Sequence, residues 1–226
     1  SIFFRADNDQ QGARDKAGVL FFVMTSSVMS SMDELIGFIE NRVLMRRESG
    51  KGLYTVASYY FAMLIFSAPF TVLYPTIYAA IAYPMIGLRA GFVHFLVFWA
   101  DLVLCSFISQ ALYYAIAAIS PSITVAQILS PIVVVIFMIF SGFFIQRANI
   151  IGFWLWAYYL SFFRYAFELL MINEFAGVQL VCTDAQLVNG TCPLPTGDAY
   201  LSSLQITSSI LVNFFVLAGF LLALQG

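Results

Sequence analysis

The chain has 226 residues, of which 62% are apolar, 17% aromatic and only 10% charged, with a net charge of −2. A soluble domain is about 25% charged and at most about half apolar, so these charges are too few to cover a water-facing surface. The composition excludes a soluble enzyme, a disordered chain and a nucleic-acid binder; it describes an integral membrane protein whose first partner is the lipid bilayer.

A helix crossing the hydrocarbon needs about 20 apolar residues, so charge-free stretches order the chain. They predict spans near 17–39, 54–82, 92–118, 125–146 and 205–226. Pro84 and Gly87 mark the end of the second span. Ser120-Pro121-Ser122 separates the third from the fourth, because proline disfavours helix at the residue before it. The apolar runs are continuous, without the period-2 alternation of barrel strands. The expected fold is therefore all-α, a polytopic transmembrane helical bundle.

Sidedness follows from the loops. Segment 40–52 holds Arg42, Arg46, Arg47 and Lys51, four of the ten cationic residues, which places it in the cytoplasm. Segment 173–204 holds Cys182, Cys192 and the acceptor Asn189-Gly190-Thr191. A cysteine pair able to close a short loop and a glycosylation sequon suit an oxidising, glycosylating compartment. Three spans separate the two segments, so the assignments agree. A fourth span over 150–172 would break that parity, so this segment is expected to enter the outer leaflet and return, or to pack against the other helices. A multi-pass protein of the plasma membrane, or of a secretory or endosomal organelle, satisfies the topology.

Polar groups inside the spans are the candidates for function. Asp101 lies roughly 14 Å into its span at 1.5 Å per residue, where an ionised carboxylate costs several kcal/mol unless paired or hydrated. It is either a cavity-lining or coupling group, or one end of a helix–helix hydrogen bond to a nearby Ser or Gln, on the face of Ser109. Arg164 and Glu168 are i, i+4 and are expected to pair. Thr25, Ser26, Ser27, Ser30 and Ser31 form a small polar stretch, whose 26/30 and 27/31 spacings suit either close helix packing or a substrate-lining surface. Trp154, Trp156, Tyr158 and Tyr159 fit an interfacial belt. Cys105 reads as a buried thiol and His94 as structural, with no metal cluster around it. No phosphate loop, HExxH or GxSxG is present, so no catalytic, cofactor-binding or metal-ligating residue is expected within these 226 residues.

Several motifs, taken in order, carry a family resemblance. They are Arg14-Asp15-Lys16-Ala17-Gly18-Val19-Leu20-Phe21-Phe22, Arg47-Glu48 followed by Gly52 and Tyr54, Phe140-Ser141-Gly142-Phe143-Phe144, and Arg164-Tyr165-Ala166-Phe167-Glu168 with Asn173-Glu174-Phe175. Together they resemble the ABC-2 type transmembrane domain of G-subfamily (White/sterol/multidrug type) ATP-binding cassette exporters. Two departures concern substrate contacts: Ser67-Ala68-Pro69 lacks the acidic residue many relatives carry before that proline, and Pro131 adds a kink site.

The resemblance implies a six-helix exporter domain in which the five spans are helices two to six. It also implies a re-entrant segment in the external loop 147–204. The first helix and the nucleotide-binding domain are then expected outside these residues. Segment 40–52 would be the coupling helix, with Glu40, Arg42, Arg46, Arg47 and Glu48 facing the nucleotide-binding domain. Phe143 and Phe144 would form a hydrophobic gate, and Ser26, Met29, Val135 and Met138 would line the substrate cavity. ATP and magnesium would bind the nucleotide-binding domain. The partners would be that domain and a second half-transporter, identical or not. The cargo would be a lipid, sterol or amphipathic xenobiotic, moved out by alternating access. A cassette-independent ion- or proton-coupled carrier or channel using Asp101 is the alternative. A polysaccharide-type permease fits less well, since that type usually lacks a large last loop such as 173–204.

Overall fold

A computed structural model describes residues 10–145, 152–180, 192 and 194–225. Over these residues the chain is an all-α bundle: α1 (Gln10–Ser30), α2 (Asp33–Gly50), α3 (Val56–Ile86), α4 (Phe92–Ile119), α5 (Ile123–Ile139), α6 (Leu155–Leu160), α7 (Phe162–Phe175), α8 (Gly197–Ser203) and α9 (Ile210–Gln225). Among the described residues three stretches are long and apolar enough to cross a membrane, Gln11–Gly50, Val56–Ile86 and Phe92–Ile119, while Ile123–Ile139 and Ile210–Gln225 are shorter apolar helices.

α4 is the axis of the bundle. It packs against α1, α2, α3, α5, α7 and α9, and it buries Phe98, Leu102, Ile108, Tyr113 and Ala117. α3 behaves oppositely. It buries only Thr71, Pro75, Ala79 and Ile86, and it exposes Ile65, Phe66, Phe70, Ile77 and Ile81. In a bilayer this apolar outer surface meets lipid tails as apolar as itself and carries no penalty.

The helix ends differ from the expected spans in ways the local chemistry explains. The first span is two helices, parted at Ser31 and Met32. The Thr25, Ser26 and Ser30 hydroxyls donate back to the carbonyls of Phe21, Phe22 and Ser27, which loosens the end of α1. Asp33 and Glu34 then give α2 an acidic first turn, favourable to its dipole. α3 runs through Pro69, Pro75 and Pro84 and stops only at Gly87, whose φ of 72° caps it. In hydrocarbon the alternative to helix is a row of unsatisfied backbone groups, which outweighs the bond lost at each proline. α5 stops at Ile139 rather than continuing to 146; Gly142 at φ 88° turns the chain, so the Phe143-Phe144 pair sits off the helix. The last helix begins at Ile210, after a positive φ at Gln205, and not at 205.

Segment 150–172 is described from 152 onward. It forms a short 3-10 turn (Gly152–Trp154), then α6, a break at Ser161 and α7. α7 rises about 21 Å at 1.5 Å per residue, short of a ~30 Å hydrocarbon core. α7 packs into the bundle: Phe162, Phe163, Phe167, Leu169, Leu170 and Met171 are buried, and the helix lies against α1, α4, α5 and α9. The Ser161 hydroxyl ties the break to the Phe137 carbonyl of α5 at 2.7 Å.

Candidate coupling and transport site

The basic end of the molecule is built on α2. Glu40, Val43, Leu44, Arg46 and Arg47 are exposed on it, whereas Leu35, Ile39 and Met45 are buried. Arg42 belongs to neither set. Its guanidinium donates to the carbonyls of Ala117 at 3.1 Å and Ser120 at 2.8 Å, with longer contacts to Ala118 and Pro121. These are the orphan carbonyls at the end of α4, where the helix dipole is negative. Arg42 is thus turned inward, and α2 is clasped to the α4–α5 turn. Glu48 accepts a hydrogen bond from the Tyr54 hydroxyl at 2.7 Å, and that carboxylate pushes the Tyr54 pKa up to about 12.

A second anchor lies at the α1–α2 break. Glu34 accepts from Tyr114 at 2.8 Å, from Thr71 at 3.3 Å and from Gln110, whose amide also donates to Ser67 at 2.7 Å. One carboxylate therefore joins α2 to α3 and α4. Glu34 is a site residue that only the structure brings out. Its only local signal was the Asp33-Glu34 pair interrupting an apolar run; its partners stand far along the chain.

At the opposite end, motifs distant in sequence meet. Lys16 and Glu174 form an ion pair at 3.0 Å, with side chains 7% and 6% exposed. The second Glu174 oxygen accepts from the Arg89 backbone at 2.9 Å, and the Arg89 guanidinium reaches the Ala176 carbonyl at 2.7 Å. His94 is structural: its Nδ1 lies 3.0 Å from Asn173 Oδ1, and Asn173 Nδ2 donates to its carbonyl at 2.9 Å.

Phe143 and Phe144 gather a ring cluster. Phe143 stacks on Phe21 of α1 with centroids 4.7 Å apart, Phe144 meets the same ring edge-on at 5.3 Å, and Phe167 of α7 meets Phe143 at 5.5 Å. Phe21 and Phe167 lie within the quoted motifs, but no local spacing shows that they meet Phe143 and Phe144. Beside this cluster Arg164 pairs with Glu168 at 2.9 Å, and the other Glu168 oxygen accepts from Ser208 at 2.5 Å. The Arg164 guanidinium also lies over the Tyr158 ring at 4.3 Å. Tyr158 is buried there, while Trp154, Trp156 and Tyr159 keep exposed faces.

Ser27 and Ser31 serve helix packing: Ser27 Oγ lies 2.9 Å from Ser106 Oγ, and Ser31 Oγ reaches the Ser106 carbonyl at 3.5 Å. Ser26 and Met29 stand on α1, and Val135 and Met138 on α5; they do not line the groove described below. Asp101 departs from the hydrogen-bonded reading. It is fully buried, and neither carboxylate oxygen has a hydrogen-bond partner among the described residues. Cys105, one turn on, is a free buried thiol. Cys182, Asn189 and the pairing of Cys182 with Cys192 lie outside the described residues.

The family described as ABC-2 type transporter matches residues 1–175. Protein white of Drosophila melanogaster is 32% identical over 240 aligned residues, covering 100% of this chain and 34% of that protein. ABC transporter G family member 2 of Dictyostelium discoideum is 33% identical over 220, covering 92% of this chain and 16% of that protein. ABC transporter G family member 5 of Arabidopsis thaliana is 30% identical over 175, covering 77% and 27%. The chain spans about a third or less of the length of these relatives. With motifs and match agreeing along the same residues, the chain belongs to the ABC-2 type transporter family, as an integral membrane domain for transport related to White and the G family members.

Proposed function

We propose that this chain is the membrane-crossing part of an ATP-driven exporter that moves a lipid, sterol or amphipathic xenobiotic outward by alternating access. The observation that carries the reading is the double anchoring of α2. Its exposed face of Glu40, Val43, Leu44, Arg46 and Arg47 is free for a cytosolic partner, while Arg42 and Glu34 bind its other side to α4, α3 and the α4–α5 turn. A push on α2 by a nucleotide-binding domain would pass directly into three helices. ATP and magnesium belong to that domain and supply the energy of its closure.

The outlet fits the same reading. Phe143 and Phe144 sit on the turn after α5 and rest on α1, so sliding α1 against α5 would repack them. Bulky apolar rings contributed by two half-transporters close a wet path by dewetting. Ser26, Met29, Val135 and Met138 would then face the second half-transporter across a shared cavity. A Cys182–Cys192 disulfide and a glycan on Asn189 would hold and shield the external loop.

Purified full-length protein is expected to hydrolyse ATP, and Arg47→Ala and Glu48→Ala to lower that hydrolysis or uncouple it from transport in vesicles. The orphaned carboxylate of Asp101 supports a second reading, an ion- or proton-coupled carrier. Flux driven by an ion gradient without ATP, and lost in Asp101→Asn, would establish that reading and sink the first.

A further inference from the structure

Between α2, α3, α4 and the end of α9 lies a groove of about 440 Å³. It lies at the basic, cytoplasmic end of the bundle, apart from the Phe143–Phe144 cluster and apart from the residues expected to line a shared cavity. Its walls are aromatic and aliphatic, with Phe38, Tyr59, Tyr60 and Tyr114 as the rings, and none of the residues lining it is cationic. The rings are organised. Phe38 stacks on Tyr114 at 5.2 Å, Tyr60 meets Tyr114 edge-on at 6.3 Å, and Tyr59 stacks on Tyr54 at 5.9 Å.

Carboxylates stand behind one of these rings, Tyr114, and behind Tyr54, the ring stacked on Tyr59. Glu34 accepts the Tyr114 hydroxyl and Glu48 accepts the Tyr54 hydroxyl. Neither acid forms an ion pair among the described residues, where the pairs are Lys16–Glu174 and Arg164–Glu168. The Arg42 guanidinium reaches the carbonyl of Ala118, a lining residue, but it is engaged by the carbonyls closing α4. Gln110, hydrogen-bonded to Glu34, adds a buried amide oxygen with no hydrogen-bond partner among the described residues, a further point of negative potential.

We infer that this groove binds a lipophilic cation, an ammonium or phosphonium with apolar arms, at the level of the cytoplasmic leaflet. Aromatic faces attract such a charge, most strongly away from water, and the flanking carboxylates add long-range attraction in a low-dielectric setting. The apolar walls take up the arms, in the pattern of a small-molecule site with few polar groups. The inference does not depend on ATP-driven export, since a carrier with this groove would bind the same ion.

The test compares two ions of one shape and opposite charge. Tetraphenylphosphonium and tetraphenylborate are titrated into the purified protein in phosphatidylcholine nanodiscs, with binding to empty nanodiscs subtracted. Tetraphenylphosphonium is expected to bind saturably at one site per chain, about ten-fold or more tighter than tetraphenylborate. Glu34→Gln and Tyr60→Leu should each weaken it several-fold and leave tetraphenylborate unchanged. Tyr60 has no hydrogen-bonded role in the Glu34 cluster, so it reports on the groove even where Glu34→Gln fails to fold. Equal affinity for tetraphenylborate or for uncharged tetraphenylsilane would mark a crevice for neutral lipid and overturn the proposal. So would the absence of saturable binding, or tetraphenylphosphonium binding that ignores Tyr60→Leu.

Discussion

Gly197 is a residue whose identity geometry forces. A Cβ placed there would lie 2.0 Å from the Phe175 carbonyl oxygen, and its N–H donates to Val178 at 2.8 Å. Overpacking against backbone, which cannot move aside like a side chain, costs about 1–3 kcal/mol, so Gly197→Ala should lower the melting temperature of the purified protein measurably. Lys16 and Glu174 allow a cleaner dissection. Removing one partner of a buried ion pair strands the other at a cost of about 3–5 kcal/mol, so Lys16→Met should destabilise more than Lys16→Met combined with Glu174→Gln. Thermal unfolding of the three proteins side by side decides it. At this scale the sequence was legible only where partners are one helical turn apart. Arg164 and Glu168 were readable as a pair, whereas Glu34 and Asp101 were not. Glu34 finds Thr71, Gln110 and Tyr114 across three helices, and Asp101 finds no hydrogen-bond partner among the described residues, an outcome no spacing rule anticipates.

Among the elements, α2 shows how a single arginine fastens a partly exposed helix to its neighbours. The Arg42 fork satisfies carbonyls at the end of α4, and charge-assisted bonds of this kind contribute about 1.5–3 kcal/mol. Arg42→Ala should therefore speed amide exchange over 116–123, about ten-fold or more, while α1 exchanges as before. Arg42→Lys should rescue only partly, since a point charge cannot replace the guanidinium fork. The sequence placed Arg42 with the outward-facing cations, because positive-inside counting sees which side a charge is on and not which way it turns. The same blindness explains the helix ends. Charge-free runs locate helices such as α3 and α4 within a few residues, but Gly142 and Gln205 end or delay helices inside uncharged sequence.

For the molecule as a whole, topology is the property that function needs. The basic segment 40–52 and the residues around α8 are expected on opposite faces of the membrane. Lys51→Cys and Ser202→Cys, both at exposed positions, should accordingly be labelled by an impermeant maleimide from opposite sides of sealed vesicles. Labelling from one side would overturn the crossing parity. What the sequence determined by itself was the solvent, from 62% apolar against 10% charged, the helical class, from its unbroken charge-free runs, and the family, from its motifs. A bilayer acts on each segment independently through its hydrophobicity and flanking charge, and motifs are local by nature. The tertiary structure alone decided which charges are spent inside: Arg42 on α4, Lys16 on Glu174, and Glu34 behind an aromatic groove. Those choices depend on how helices are rotated and set against one another, and no stretch of sequence contains that rotation because it arises only when all their faces are packed together.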